Sequence, residues 1–113
     1  MFTISSTGPA TTVQKSSMGT FYMMDGVSRG NRPVWKKEGD DLFLYYAPDS
    51  VWSVGPDISS TSPYLYNPIN PYLIYPNQTN WKFKNSKNKY ELDTQLQVEG
   101  ENMKGERNYK ATV

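Results

Sequence analysis

The stretch from Gly30 to Asp57, GNRPVWKKEGDDLFLYYAPDSVWSVGPD, constrains this chain more than any other. Leu42 to Ala47 is the most strand-like run in the sequence, apolar and aromatic throughout, and it reads as a strand covered on both faces. Glu38-Gly39-Asp40-Asp41 before it and Pro48-Asp49-Ser50 after it are turn chemistry. Val34-Trp35-Lys36-Lys37 and Val51-Trp52-Ser53-Val54 flank these turns as two further strands. Pro33 sits where the first of them begins, where a missing N–H costs least, and Gly55-Pro56-Asp57 stops the second. Three short strands joined by short turns predict an antiparallel meander.

The rest of the composition decides what the aromatics in that meander are for. A chain of 113 residues makes one domain with a modest core. Only 36% of it is hydrophobic, but 14% is aromatic, and rings bury much area per residue. Trp52 and Trp81 are therefore expected in the core. A disordered middle is excluded by the clustering of aromatic and β-branched residues.

Charge and missing residue types narrow the function. The net charge of +1 offers no bulk attraction for nucleic acid. Without cysteine there is no disulfide, thiolate metal site or thiol catalysis, and without histidine a Ser-His-Asp mechanism is impossible. Gly100 and Gly105 have Walker A spacing, but Glu106-Arg107 follows where Lys-Ser/Thr is required. No cofactor is expected. No apolar run approaches the roughly 20 residues of a membrane-spanning helix. Met1-Phe2-Thr3 leads straight into Ser/Thr-rich sequence, and the expectation is a mature extracellular chain lacking its signal peptide, with a cytoplasmic protein as the alternative.

Two units are expected, a Ser/Thr-rich N-terminal arm over 1–18 and a β domain over 19–113. The arm reads as a tail or an edge strand able to add to a neighbouring copy. Gly19 to Met24 is a strand closed by the Asp25-Gly26 turn dipeptide. Residues 59–80 carry four prolines and four tyrosines, which forbids helix and blocks a central strand, so a long Pro/Tyr-rich loop is expected there. Trp81 and Phe83 alternate with Lys82 and Lys84 as a strand with one wet face. Lys89 to Glu99 alternates most cleanly of all, with Tyr90, Leu92, Thr94, Leu96 and Val98 on one face of a single strand. Asn108 to Val113 is a candidate final edge strand. No helix is expected. The fold class is all-β, a small antiparallel meander or β-sandwich with one long loop.

The chemistry that remains is recognition. Tyrosine offers apolar area with a polar tip. That makes Tyr64, Tyr66, Tyr72 and Tyr75 of the loop candidate ligand contacts, with Trp35 beside its two lysines as a fifth. Asp40, Asp41, Asp49 and Asp57 are the only candidates for calcium, a hard cation that takes oxygen ligands, but their spacing matches no EF-hand. Asn77-Gln78-Thr79 is a glycosylation sequon. The expected function is a non-catalytic extracellular recognition or adhesion module, with a glycan or a protein surface as partner. The alternative is a self-assembling structural subunit, a homo-oligomer held through its edge strands.

The blocks Gly19-x-Phe21-Tyr22, Gly30-Asn31-Arg32-Pro33-Val34-Trp35, Asp41-Leu42-Phe43-Leu44-Tyr45-Tyr46 and Trp52-x-Val54-Gly55-Pro56-Asp57 carry a resemblance. In order and spacing they resemble a small Trp/Tyr-rich β module of multidomain proteins from aquatic invertebrates and protists. Its signature is G-R-P-V-Y, L-Y-Y and W-x-V-G, with a later tryptophan that Trp81 matches. The chain departs from it at Asn31, at Trp35 where tyrosine is usual, and in its Pro/Tyr-rich middle. The resemblance implies an extracellular β module and supplies no activity and no catalytic residues.

Overall fold

The computed structural model of the protein describes residues 1–68 and 80–100. Among these residues nine strands form one antiparallel sheet: β1 (Phe2–Ser6), β2 (Gly19–Arg29), β3 (Arg32–Lys37), β4 (Phe43–Tyr46), β5 (Trp52–Gly55), β6 (Leu65–Asn67), β7 (Trp81–Lys84), β8 (Tyr90–Asp93) and β9 (Leu96–Gly100). The strand order is β8-β7-β6-β5-β4-β3-β2-β1-β9. β8 and β9 stand at opposite ends of that order, yet only Thr94 and Gln95 separate them in the chain. The sheet must therefore curl round until its two ends meet, and it makes a nearly closed barrel.

Strand alternation sends one set of side chains into the barrel. Phe2, Ile4, Phe21, Trp35, Leu44, Trp52, Val54, Leu65, Trp81, Phe83, Leu96 and Val98 are buried there in one cluster. The rings interlock: Phe2 meets Trp35 edge-on at 4.9 Å, and Trp35 lies 5.9 Å from Trp52. β4 is covered on both faces, as its composition predicts. Leu44 and Tyr46 belong to the inner cluster, while Tyr45 and Ala47 join Val34 in a second one on the outside of the sheet.

Several expectations change. The 1–18 stretch is not a free arm, because β1 lies between β2 and β9 with a ladder on each side. Phe2 and Ile4, half of a weak alternation in the sequence, are core residues. A short helix α1 (Ala10–Val13) and a 3₁₀ turn (Lys15–Ser17) follow β1, although no helix is expected there. They lie across one mouth of the barrel, where the Gln14 side chain donates to the Lys84 carbonyl and Lys37 donates to that of Ser16.

Asp25-Gly26 is not a hairpin turn. β2 runs on through an irregularity between Met23 and Ser28, and the chain reverses at Gly30-Asn31 instead. Both residues have positive φ, 58° and 61°, as a type I′ turn requires. Gly30 is needed for a second reason, since a Cβ there would come within 2.7 Å of the Tyr46 ring. β6 is a short strand inside the segment expected to be all loop, held between Pro63 and Pro68.

The single strand expected over Lys89–Glu99 is two strands with opposite parity. In β8, Asp93 is buried and Leu92 is half-exposed; in β9, Leu96 and Val98 are buried. The cause is Asp93. Its Oδ1 accepts the Gln95 N–H at 2.8 Å, which makes an Asx turn. Its Oδ2 accepts from Ser6 Oγ at 2.7 Å and from the Ala10 N–H at 3.0 Å. A buried carboxylate is tolerable when its lone pairs are met in this way. Asp93 thus fastens β8 to the end of β1 and to α1. Gly8 lies so close that a Cβ there would clash with this carboxylate. The edge strand expected over Asn108–Val113 lies outside the described residues.

Candidate functional site

The connection from β5 to β6, residues 56–64, folds back over the outer face of the sheet. Asp57 opens it by accepting the Ser59 N–H at 2.8 Å, and Ile58 packs on the outer cluster of Val34, Tyr45 and Ala47. Three side chains from the sheet pin it from below. Tyr45 Oη donates to the Ser60 carbonyl at 3.0 Å, Tyr90 Oη to that of Pro63 at 2.6 Å, and Lys84 Nζ to that of Ser62 at 3.2 Å. Asp57 is therefore spent on the turn and Tyr45 on the connection.

Beside this connection opens a cleft of about 200 Å³, lined by Asp49, Thr61, Pro63, Tyr66 and Tyr90. Tyr66 lies in a row across the outer face that runs Tyr45, Ser53, Tyr66, Lys82, Leu92 through the cross-strand registers. Its ring meets that of Tyr90 at 4.8 Å and 87°, an edge-to-face pair. Burial holds the Tyr66 hydroxyl above its ordinary pKa, and Tyr90 and the Asp49 carboxylate push it the same way. Tyr66 is thus a neutral hydrogen-bond donor across the physiological range. Tyr45 is raised further, by burial first and then by Asp57 and Asp49. Lys84 Nζ stands 5.7 Å from the centre of the Tyr90 ring.

A second cleft of about 200 Å³ lies at the mouth covered by the 3₁₀ turn, lined by Ser16, Asp40, Asp41, Leu42, Pro56 and Tyr64. Its carboxylates face lysines, with Lys37 3.4 Å from Asp40 and Lys36 3.7 Å from Asp41. Tyr64 packs against the inner core. The four candidate calcium ligands are divided among these places: Asp40 and Asp41 at the mouth, Asp49 in the outer cleft, Asp57 in its turn. Among the described residues no three acidic side chains come together as a metal site would require.

The other candidates separate clearly. Trp35 is fully buried in the barrel and offers no face to a ligand; it is a core residue, as a chain poor in aliphatic side chains requires. Its two neighbouring lysines misdirect, because they mark the strand's end and not the direction of the ring. Tyr66 lines the outer cleft and Tyr64 the other one, so the two are not one surface. Tyr72, Tyr75 and Asn77 lie outside the described residues. Tyr90 is the cleft-lining residue that sequence reasoning missed, since the unbroken alternation of Lys89–Glu99 assigns it to the inner face. The signal that could have found it is the Asp93-Thr94-Gln95 Asx turn. Among the described residues no helix is long and apolar enough to cross a membrane. Comparison with family models, with curated proteins and with solved structures gave no significant match.

Proposed function

We propose that this chain is a non-catalytic recognition module working outside the cell, and that it takes one unit of a glycan in the cleft of Asp49, Thr61, Pro63, Tyr66 and Tyr90. The observation that carries this reading is the pairing of Tyr66 and Tyr90 at right angles beside a carboxylate and a hydroxyl. A sugar presents apolar C–H faces and a rim of hydroxyls. Tyrosine rings suit the first, and Asp49, Thr61 and the Tyr66 hydroxyl suit the second. The volume of about 200 Å³ falls below the ~300–1,000 Å³ of pockets for drug-sized ligands. It matches a single ring or a protein side chain better than a cofactor. The resemblance to extracellular β modules agrees in kind.

Titration of isotope-labelled protein with neutral, acidic and amino sugars tests the reading by amide chemical shifts. Shifts centred on Thr61, Tyr66 and Tyr90, absent in Tyr66→Ala, are the expected result. Unmoved spectra across the whole panel would sink the glycan reading and leave a protein partner as its successor.

A further inference from the structure

The run from Tyr90 to Glu99 alternates without a break in sequence, yet the nearly closed barrel breaks it at Thr94 and Gln95. Folded this way, the chain leaves Leu92 half-exposed and carries the Asp93 carboxylate inside. Straightened through 94–95, the same run would become one strand of uniform parity. Tyr90, Leu92, Thr94, Leu96 and Val98 would share one face, and Glu91, Asp93, Gln95, Gln97 and Glu99 the other.

The ladders supply the second observation. β9 is bound into the sheet by five register pairs with β1, from Phe2 opposite Gly100 to Ser6 opposite Leu96. Among the described residues it makes none with β8, its neighbour in sequence. The two-residue turn alone therefore makes β9 belong to its own chain. Short hinge loops favour exchange of the element they carry, because extension relieves the turn while every contact beyond the hinge is remade between chains.

We propose that two copies of this chain exchange β9. Each strand continues straight from its own β8 and pairs with β1 of the other copy, delivering Leu96 and Val98 to that copy's interior. Exchange opens the Asx turn and sacrifices the bond of the Gln95 N–H to Asp93 in each chain, while Ser6 and Ala10 stay with their own β8. Closed monomer thus dominates in dilute solution, and exchanged dimer accumulates when the chain folds at high concentration.

Because the chain has no cysteine, an engineered pair reports the pairing unambiguously. Ser5 and Gln97 are exposed register partners, and so is the second pair, Thr3 and Glu99, at least in part. Ser5→Cys/Gln97→Cys protein is refolded over a range of concentrations, oxidised, and run on a non-reducing gel. The expected result is a covalent dimer whose share rises with concentration. Inserting Gly-Gly between Thr94 and Gln95 should cut that share by about fivefold while the monomer still folds. If the first pair prevents folding, Thr3→Cys/Glu99→Cys reads the same ladder. Bonds found only within single chains at every concentration would overturn the proposal. So would a dimer by size whose disulfides are all internal, since that dimer uses another surface.

Discussion

The two faces of the same sheet use aromatic residues differently. Among the described residues the buried rings inside the barrel are Trp35, Trp52, Trp81, Phe2, Phe21 and Phe83, with Tyr46 as the one buried phenol and Tyr64 packed at the edge. On the outer face Phe43 packs beside Val34 and Ala47, and the phenols Tyr45, Tyr66 and Tyr90 hold the β5–β6 connection or line the cleft with their hydroxyls. The difference teaches what the hydroxyl is for. A phenylalanine can be sealed against other rings, whereas a phenol needs a partner and so settles where backbone carbonyls or a ligand can meet it. The inner face supplies stability, and the outer face supplies a surface with donors at known places.

That contrast can be broken in order of effect. Trp35→Ala should cost about 3–5 kcal/mol, because it empties the centre of the inner cluster. Urea denaturation measures it, and a loss below about 1 kcal/mol would mean the barrel repacks freely. Asp93→Ala tests the polar exception on the inner side. It strands the Ser6 hydroxyl and the Ala10 N–H, and about 3 kcal/mol of stability should go with them. Asp93→Asn, which keeps the size of the group, should recover part of that loss.

Tyr45→Phe removes one outer hydroxyl and should cost about 1 kcal/mol at neutral pH. Its sharper signature is alkaline. The folded Tyr45 holds its proton well above the ordinary 10.0, whereas the unfolded chain releases it near that value. The unfolded state therefore binds fewer protons once the pH exceeds 10.0, and the native protein loses stability as the pH climbs further. Denaturation curves at about pH 9 and about pH 11 should diverge more for the native chain than for Tyr45→Phe. Smallest on stability is Tyr66→Ala, expected within about 1 kcal/mol for a partly exposed side chain. Its effect should appear in sugar binding instead. A Tyr66→Ala protein that binds normally would remove the cleft from consideration.

Much of the inner face was legible in the sequence. Leu42–Ala47 announced its double burial by composition, and Trp81 and Phe83 announced theirs by alternation with lysines. What could not be read depends on partners distant in the chain. Phe2 and Ile4 look like a polar tail until β2 and β9 close around them. Asp93 looks like a wet position until Ser6 and Ala10 are brought to it, and its inward turn reverses the direction of Tyr90. The outer cleft was half legible for the same reason. Loop composition put Tyr66 among the surface candidates, whereas the place of Tyr90 beside it was hidden by a parity break set from 87 residues away. Asn31 and Gly30 show the opposite case, where a local pair decides a turn that the stronger-looking Asp25-Gly26 does not.

The place of β1 between β2 and β9 has a consequence for how the protein is made. On the ribosome β1 emerges first and β2 soon after, so one side of β1 is satisfied early. Its other side waits for β9. At translation rates of about 5–20 residues per second the wait is roughly 5–20 s. Throughout that interval the nascent chain exposes an unpaired strand edge and part of an aromatic interior. Closure of such distant pairs is intrinsically slow even after release. The pairing of β1 with β9, not that with β2, is where this chain is most open to a chaperone or to another nascent copy.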